Sequence, residues 1–250
     1  MIDKRLCVFG ACNVLNCSID QPSRNVDSWP GYAANELNWD YENFAQKSID
    51  NNYIFHTVLS KIQRNELLPE TDVLLIAWCD ISSRLFLYNE QKNAPSDVLD
   101  YSLIYGPGPV KNTSWIRSNG RGSKGWDGEF NYQNNFGNPY YDTYFTSYHD
   151  KDLALLETIQ KTLALGLMLE KLKFKFVFAS DKNFVDSTEF EYTSMLKTAL
   201  PWFLPDQLGI VECVKKLNLC ISGNDQHPNL QGHRYLSEKF VKYIKHANTI

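Results

Sequence analysis

The run Asp72-Val73-Leu74-Leu75-Ile76-Ala77-Trp78 constrains this chain more than any other segment. Past its first residue it is apolar without alternation, so side chains on both faces must leave water. A strand of that kind belongs inside a parallel sheet covered by helices on both sides. Arg5-Leu6-Cys7-Val8-Phe9, ending at Gly10, reads as a first strand; 41–45 reads as a second and Phe174-Lys175-Phe176-Val177-Phe178-Ala179 as a fourth. A short fifth strand is expected at 217–221. Ser28-Trp29-Pro30 opens a helix, because proline suits a first helical turn. Ile54, Val58, Leu59 and Ile62 share one face of a second helix. Further helices are expected at about 151–172 and 231–247, the last with Leu236, Phe240 and Ile244 spaced by four. This alternation predicts an α/β fold, a three-layer flavodoxin-like sandwich around a central parallel sheet.

With 250 residues and no internal repeat, 1–250 is read as a single domain. One region breaks the pattern. From about 89 to 148 the chain is rich in Gly, Asn, Tyr, Ser and Trp, as in Tyr105-Gly106-Pro107-Gly108-Pro109. It is read as an insertion overhanging the strand ends, without regular structure. Its aromatics, Trp115, Trp126 and Tyr140 among them, fit a sugar-stacking platform, a self-packed cap or a subunit contact.

A net charge of −4 with no basic block argues against a nucleic-acid surface. No apolar run reaches membrane-spanning length, so no membrane partner is expected. Met1-Ile2-Asp3-Lys4 lacks the pattern of a signal peptide, which predicts a cytoplasmic location. The six cysteines form no tight CxxC pair and are read as reduced thiols.

In parallel sheets, sites form where loops leave the carboxyl ends of strands. Those loops hold Phe9-Gly10-Ala11-Cys12-Asn13 after the first strand and Ala45-Gln46-Lys47-Ser48-Ile49-Asp50-Asn51 after the second. Trp78-Cys79-Asp80, with Arg84 a turn later, follows the third. Before the last helix comes Asn224-Asp225-Gln226-His227-Pro228-Asn229-Leu230-Gln231-Gly232-His233. Their order and spacing resemble the SGNH (GDSL-like) hydrolases. That family has a Gly-Asp-Ser-like turn after strand one, a Gly after strand two and Gly-x-Asn-Asp after strand three. It closes with Asp-x-x-His-Pro-Asn-x-x-Gly-His, which His227 to His233 matches throughout. Ser28-Trp29-Pro30, the Asn43/Ala45 pair, and Trp78 with Arg84 are similar to a divergent subgroup from phages and marine bacteria. The resemblance covers the chain outside the insertion.

It implies an SGNH-type fold and an ester hydrolase, with carbohydrate O-deacetylation among its activities, acting on a small-molecule or glycan ester without cofactor or metal. Cys12 stands where the family has its nucleophilic Ser, Ser48 at the oxyanion-hole Gly, Cys79 at the oxyanion-hole Asn, and Asn224 at the triad Asp, with Asp225 beside it. The implied catalytic set is Cys12, His227, Asn224 and Asp225; the oxyanion set is Cys12, Ser48 and Cys79. Asn51, Trp78, Asp80 and Arg84 are candidate substrate contacts, a structural ion pair being the alternative for the last two. A thiol can serve at position 12, because a neighbouring imidazole favours the thiolate, and Asn can orient an imidazole. The other reading is an inactive descendant of the fold, a glycan-binding, structural or virion component, with a homo-oligomer or virion partner. Cys12 with Cys79 also allows a redox pair, or with His227 an adventitious metal site. His233 is read as a structural hydrogen-bonding residue and Cys7 as a core residue.

Overall fold

The computed structural model describes residues 4–15, 27–46, 50–79, 84–89, 94–95, 113–118, 151–181, 197–204, 209–222 and 226–246. Its strands are β1 (Arg5–Phe9), β2 (Asp40–Asn43), β3 (Asp72–Trp78), β4 (Arg84–Asn89), β5 (Ala94–Pro95), β6 (Thr113–Ser118) and β7 (Lys175–Ser180). Its helices are α1 (Trp29–Leu37), α2 (Asn51–Gln63), α3 (Lys151–Lys171), α4 (Ile210–Lys216) and α5 (Leu230–His246). The central sheet runs β2-β1-β3-β7 with every pair parallel. This is the start of the flavodoxin-like doubly wound order, as the sequence predicts.

Every residue of β3 is buried, because the strand has a neighbour on each edge and a helical layer on each face. The two-residue period of a strand divides the core in two. Cys7, Phe9, Leu74, Ile76 and Phe178 pack with Ile54 and Val58 of α2 and Ile159 and Leu165 of α3. Leu6, Val8, Leu75, Ala77 and Val177 pack on the opposite side with Trp29 and Ala33 of α1 and Phe240 and Ile244 of α5. Helices α1 and α5 run side by side in the same direction. Trp29 meets Phe240 edge-on, ring centroids 5.7 Å apart, and Lys245 reaches Glu36 at 3.2 Å near their far ends.

The amino end of the sheet is fixed by a charged clamp. Arg5 donates through Nε (3.0 Å) and Nη2 (2.6 Å) to the two oxygens of Asp72, and through Nη1 to Glu42 at 2.7 Å. The Leu68 N–H also donates to Asp72, at 2.7 Å. A forked guanidinium pair of this kind is directional as well as strong. It ties β1 to both neighbours, in the register Arg5↔Asp40 and Arg5↔Asp72.

Two expectations are corrected. Part of the region read as irregular is regular: β5-β4-β6 form an antiparallel sheet, with Arg84 opposite Ser118 and Asn89 opposite Thr113. Local composition hid it, since β4 pairs along its length with β6, in a distant part of the chain, and its near neighbour β5 is only two residues long. The expected fifth strand at 217–221 is reduced to a single bridge between Cys220 and Pro228. Helix α4 precedes it, and Asn218 takes a left-handed φ of 56°, which ends a helix and does not fit a strand.

Asp72 is 1% exposed and serves several donors, so its loss leaves them without an acceptor. Asp72→Ala should lower the free energy of unfolding by about 2–4 kcal/mol, read as a fall in urea midpoint at unchanged slope.

Candidate active site

All four strands of the parallel sheet end on the same side, and there the chain leaving β1 turns sharply. A Cβ on Gly10 would lie 2.7 Å from Val14 Cγ2 and 3.1 Å from the Ala77 carbonyl, so only glycine lets the chain pass so close to β3. Cys12–Val14 then form a 3-10 turn, with the Leu15 N–H donating to the Cys12 carbonyl at 3.1 Å. Cys12 itself is half-buried.

Three carbonyls around Cys12 are held by three other segments. Gln46 N–H donates to Gly10 at 3.2 Å, the Trp29 indole N–H to Asn13 at 3.0 Å, and Asn43 Nδ2 to Val14 at 3.3 Å. Asn43 Nδ2 also donates to the Tyr41 hydroxyl (2.7 Å), and its Oδ1 accepts the Ala45 N–H (2.8 Å). The Tyr41 hydroxyl lies 3.0 Å from Ser28 Oγ. Burial pushes the Tyr41 phenol up to about 12, so it remains a neutral member of this network.

The histidine segment is built with equal economy. His227 is half-buried, and its carbonyl accepts the Ile221 N–H at 2.9 Å. Asn229 caps α5: its Oδ1 accepts the Gly232 N–H at 2.9 Å, and its Nδ2 donates to the Cys220 carbonyl at 3.0 Å. A Cβ on Gly232 would stand 2.6 Å from the Leu219 carbonyl, so glycine is what lets α5 start against that segment. His233, fully buried, accepts the backbone N–H of Trp29 on Nδ1 at 3.1 Å. That bond is assigned by geometry and places the ring proton on Nε2. It also places the start of α5 beside the start of α1. Because α1 leads into the amino end of β2, its own start lies at the carboxyl end of the sheet, with Cys12.

Beyond β3, Cys79 and Asn51 are locked together. Asn51 Oδ1 accepts from the Cys79 N–H (2.8 Å) and lies 3.2 Å from its sulfur. Asn51 Nδ2 donates to the Cys79 carbonyl at 3.1 Å and to Thr158 Oγ1 at 3.3 Å. Both residues are buried, so Asn51 joins the start of α2 to α3 across the end of β3. Trp78 is likewise fully buried, stacked on Phe178 at 5.7 Å.

Of the residues singled out by sequence, Cys12 and Cys79 follow adjacent strands in the register Phe9↔Ile76. His227 belongs to the segment that Trp29 ties to the Cys12 turn. Ser48, Asp80, Asn224, Asp225 and the side chain of Arg84 lie outside the described residues. Trp29 and Asn43 act here as braces; the sequence marks both only through the family resemblance, and Trp29 also as a helix start. Ser180 and Asp181, buried at the end of β7, were also passed over; their signal was their place after the fourth strand. Among the described residues no group of His, Cys, Asp or Glu could hold a metal ion, and no helix is long and apolar enough to cross a membrane.

No family model and no curated protein matches the chain. Among solved structures it is similar to the psychrotrophic esterase EstA from Pseudoalteromonas sp., at 8% identity, covering 99% of this chain and 100% of that one, with a TM-score of 0.49. It is also similar to a lipolytic protein of the G-D-S-L family from Veillonella parvula, at 9% identity, 97% and 99% coverage and a TM-score of 0.46. A third likeness is to a carbohydrate esterase family 2 enzyme of Corynascus thermopiles (11% identity, 99% and 67% coverage, TM-score 0.44).

Burial, then the nearby His227, pushes the His233 imidazole down to about 4 from an ordinary 6.5. Between those values the unfolded chain binds the extra proton and the folded chain does not. The stability His233 contributes is therefore whole above pH 6.5 and falls as pH drops toward 4, by about 3 kcal/mol. His233→Asn keeps a side-chain acceptor but cannot titrate. Its urea midpoint should fall less than that of the wild type between pH 7 and pH 4.5.

Proposed function

We propose that this protein is an ester hydrolase of SGNH type with Cys12 as nucleophile and His227 as its base. The observation that carries this reading is the Trp29 brace, which holds the turn of Cys12 and the segment of His227 to one residue at the carboxyl end of a parallel sheet. Ligand sites of such sheets form there.

On this reading His227 takes the thiol proton as Cys12 Sγ bonds to the acyl carbon. The resulting oxyanion faces the backbone N–H groups of Cys12 and Ser48. Collapse breaks the bond to the alcohol, which leaves with the proton returned by His227. Water, deprotonated by His227, then cleaves the thioester and restores the thiol. Asn224 or Asp225 orients the imidazole, as Asn does in Cys-His-Asn sites. The N–H and thiol of Cys79 are directed at Asn51, so the oxyanion relies on the two backbone donors. Losing one donor of an oxyanion hole costs about 10²–10³ in rate, and turnover should be correspondingly slow. The substrate class is a small-molecule or glycan O-acyl ester, with Asp80 and Arg84 as its polar contacts.

The Cys79–Asn51 lock also favours a second reading, a non-catalytic glycan-binding or structural component of the same fold. Hydrolysis of p-nitrophenyl acetate separates the two. Wild type should exceed Cys12→Ala and His227→Ala by at least about tenfold, the lower end of what a positioned base contributes. A wild type no faster than Cys12→Ala abandons the simple-ester reading and leaves the binding one.

A further inference from the structure

Trp29 is 1% exposed and presents two donors in two directions. Its indole N–H is held by Asn13, the residue after Cys12, and its backbone N–H by His233, six positions after His227. The second bond is unusual for its position. Ser28 occupies the N-cap of α1 and is of a residue type that normally caps, yet its side chain makes no cap hydrogen bond. Its hydroxyl lies 3.0 Å from the Tyr41 hydroxyl instead. The first N–H of α1 is taken by another helix, through an imidazole whose Nε2–H is buried with no acceptor among the described residues. Leaving a buried donor unmet opposes folding, and a serine N-cap, which reaches the second or third helical N–H, would not replace the bond that His233 makes to Trp29.

We infer that Trp29 and His233 are positioning residues, which set the separation of Cys12 and His227 by joining the two segments that carry them; this rests on reading those two as the reacting pair. Trp29 fixes the turn from one side, and His233 fixes α1 against the helix that begins just after His227. Neither touches the ester. Their effect is on the thiolate: an imidazole held beside the sulfur lowers the pH at which Cys12 reacts, and a displaced one does not.

The test is the rate of iodoacetamide alkylation of Cys12 against pH, followed by mass spectrometry of the Cys12 peptide so that other thiols do not interfere. The readout needs no ester substrate. His227→Ala should raise the midpoint by about one pH unit or more. Trp29→Phe removes only the indole donor, keeping the ring and the backbone N–H. His233→Leu removes the acceptor on Nδ1. Both should move the midpoint toward the His227→Ala value, while His233→Asn, which retains an acceptor, stays near wild type. If His227→Ala moves the midpoint but Trp29→Phe and a folded His233→Leu do not, the inference fails and the reacting pair stands. If His227→Ala leaves the midpoint unchanged, the pair itself is wrong and the inference falls with it. Should His233→Leu not fold, Trp29→Phe alone decides.

Discussion

The fold depends on the complete burial of β3. A strand with no wet face needs apolar cover above and below, and each of its N–H and C=O groups needs a partner on one edge or the other. The register Cys7↔Leu74 on one side and Leu74↔Phe176 on the other meets that need. Parallel neighbours require crossover connections, and helices α1, α2 and α3 supply them while covering the two faces. Once the strands are parallel, every one of them ends on the same side. Cys12, Gln46, Cys79 and Asp181 are distant in sequence, and their gathering at one end follows from topology alone.

Topology brings segments to one end but does not fix a turn there to a fraction of an ångström. That is left to hydrogen bonds aimed at the main chain. The carbonyls of Gly10, Asn13 and Val14 are each taken by a different element, so the backbone around Cys12 cannot shift without breaking bonds to β2, α1 or the loop after β2. The polar side chains that do this are themselves connected through Asn43, Tyr41 and Ser28. A buried polar network in which each member has a partner stiffens its surroundings, whereas a broken one is costly.

How much of this was legible follows from the range of each interaction. β3 could be read to the residue, because an uninterrupted apolar run carries its own evidence, and β1 and β7 nearly so. The sheet β5-β4-β6 could not, since what makes Arg84 to Asn89 a strand is pairing with residues 113–118. Helix α4 is too short to show a period, and Asn218 ends it by a backbone angle that composition does not reveal. His227 to His233 stood out as a motif, yet the need for Gly232 is visible only once Leu219 lies against it. Trp29 was read as the start of a helix. Its partners are 16 and 204 residues away, so its role as a brace belongs to the folded chain.

The two cysteines at the sheet end are consistent with each other. An amide at position 79 would bring donors to a place where Asn51 already binds the backbone N–H and carbonyl of that residue and donates to Thr158. A thiol, smaller and a weaker donor, fits against Asn51 Oδ1 at 3.2 Å without disturbing the lock. Position 79 is thus held rigidly, and on the proposed reading it offers little to a developing charge. A hydroxyl nucleophile would suffer most from that exchange, because it must be deprotonated during attack and leaves a fully developed oxyanion to be stabilised. If Cys12 and His227 are the proposed pair, a thiol beside the imidazole is already part thiolate, and the demand moves from donors around the oxyanion to the distance between sulfur and ring. That distance is what a brace between the Cys12 turn and the histidine helix would govern.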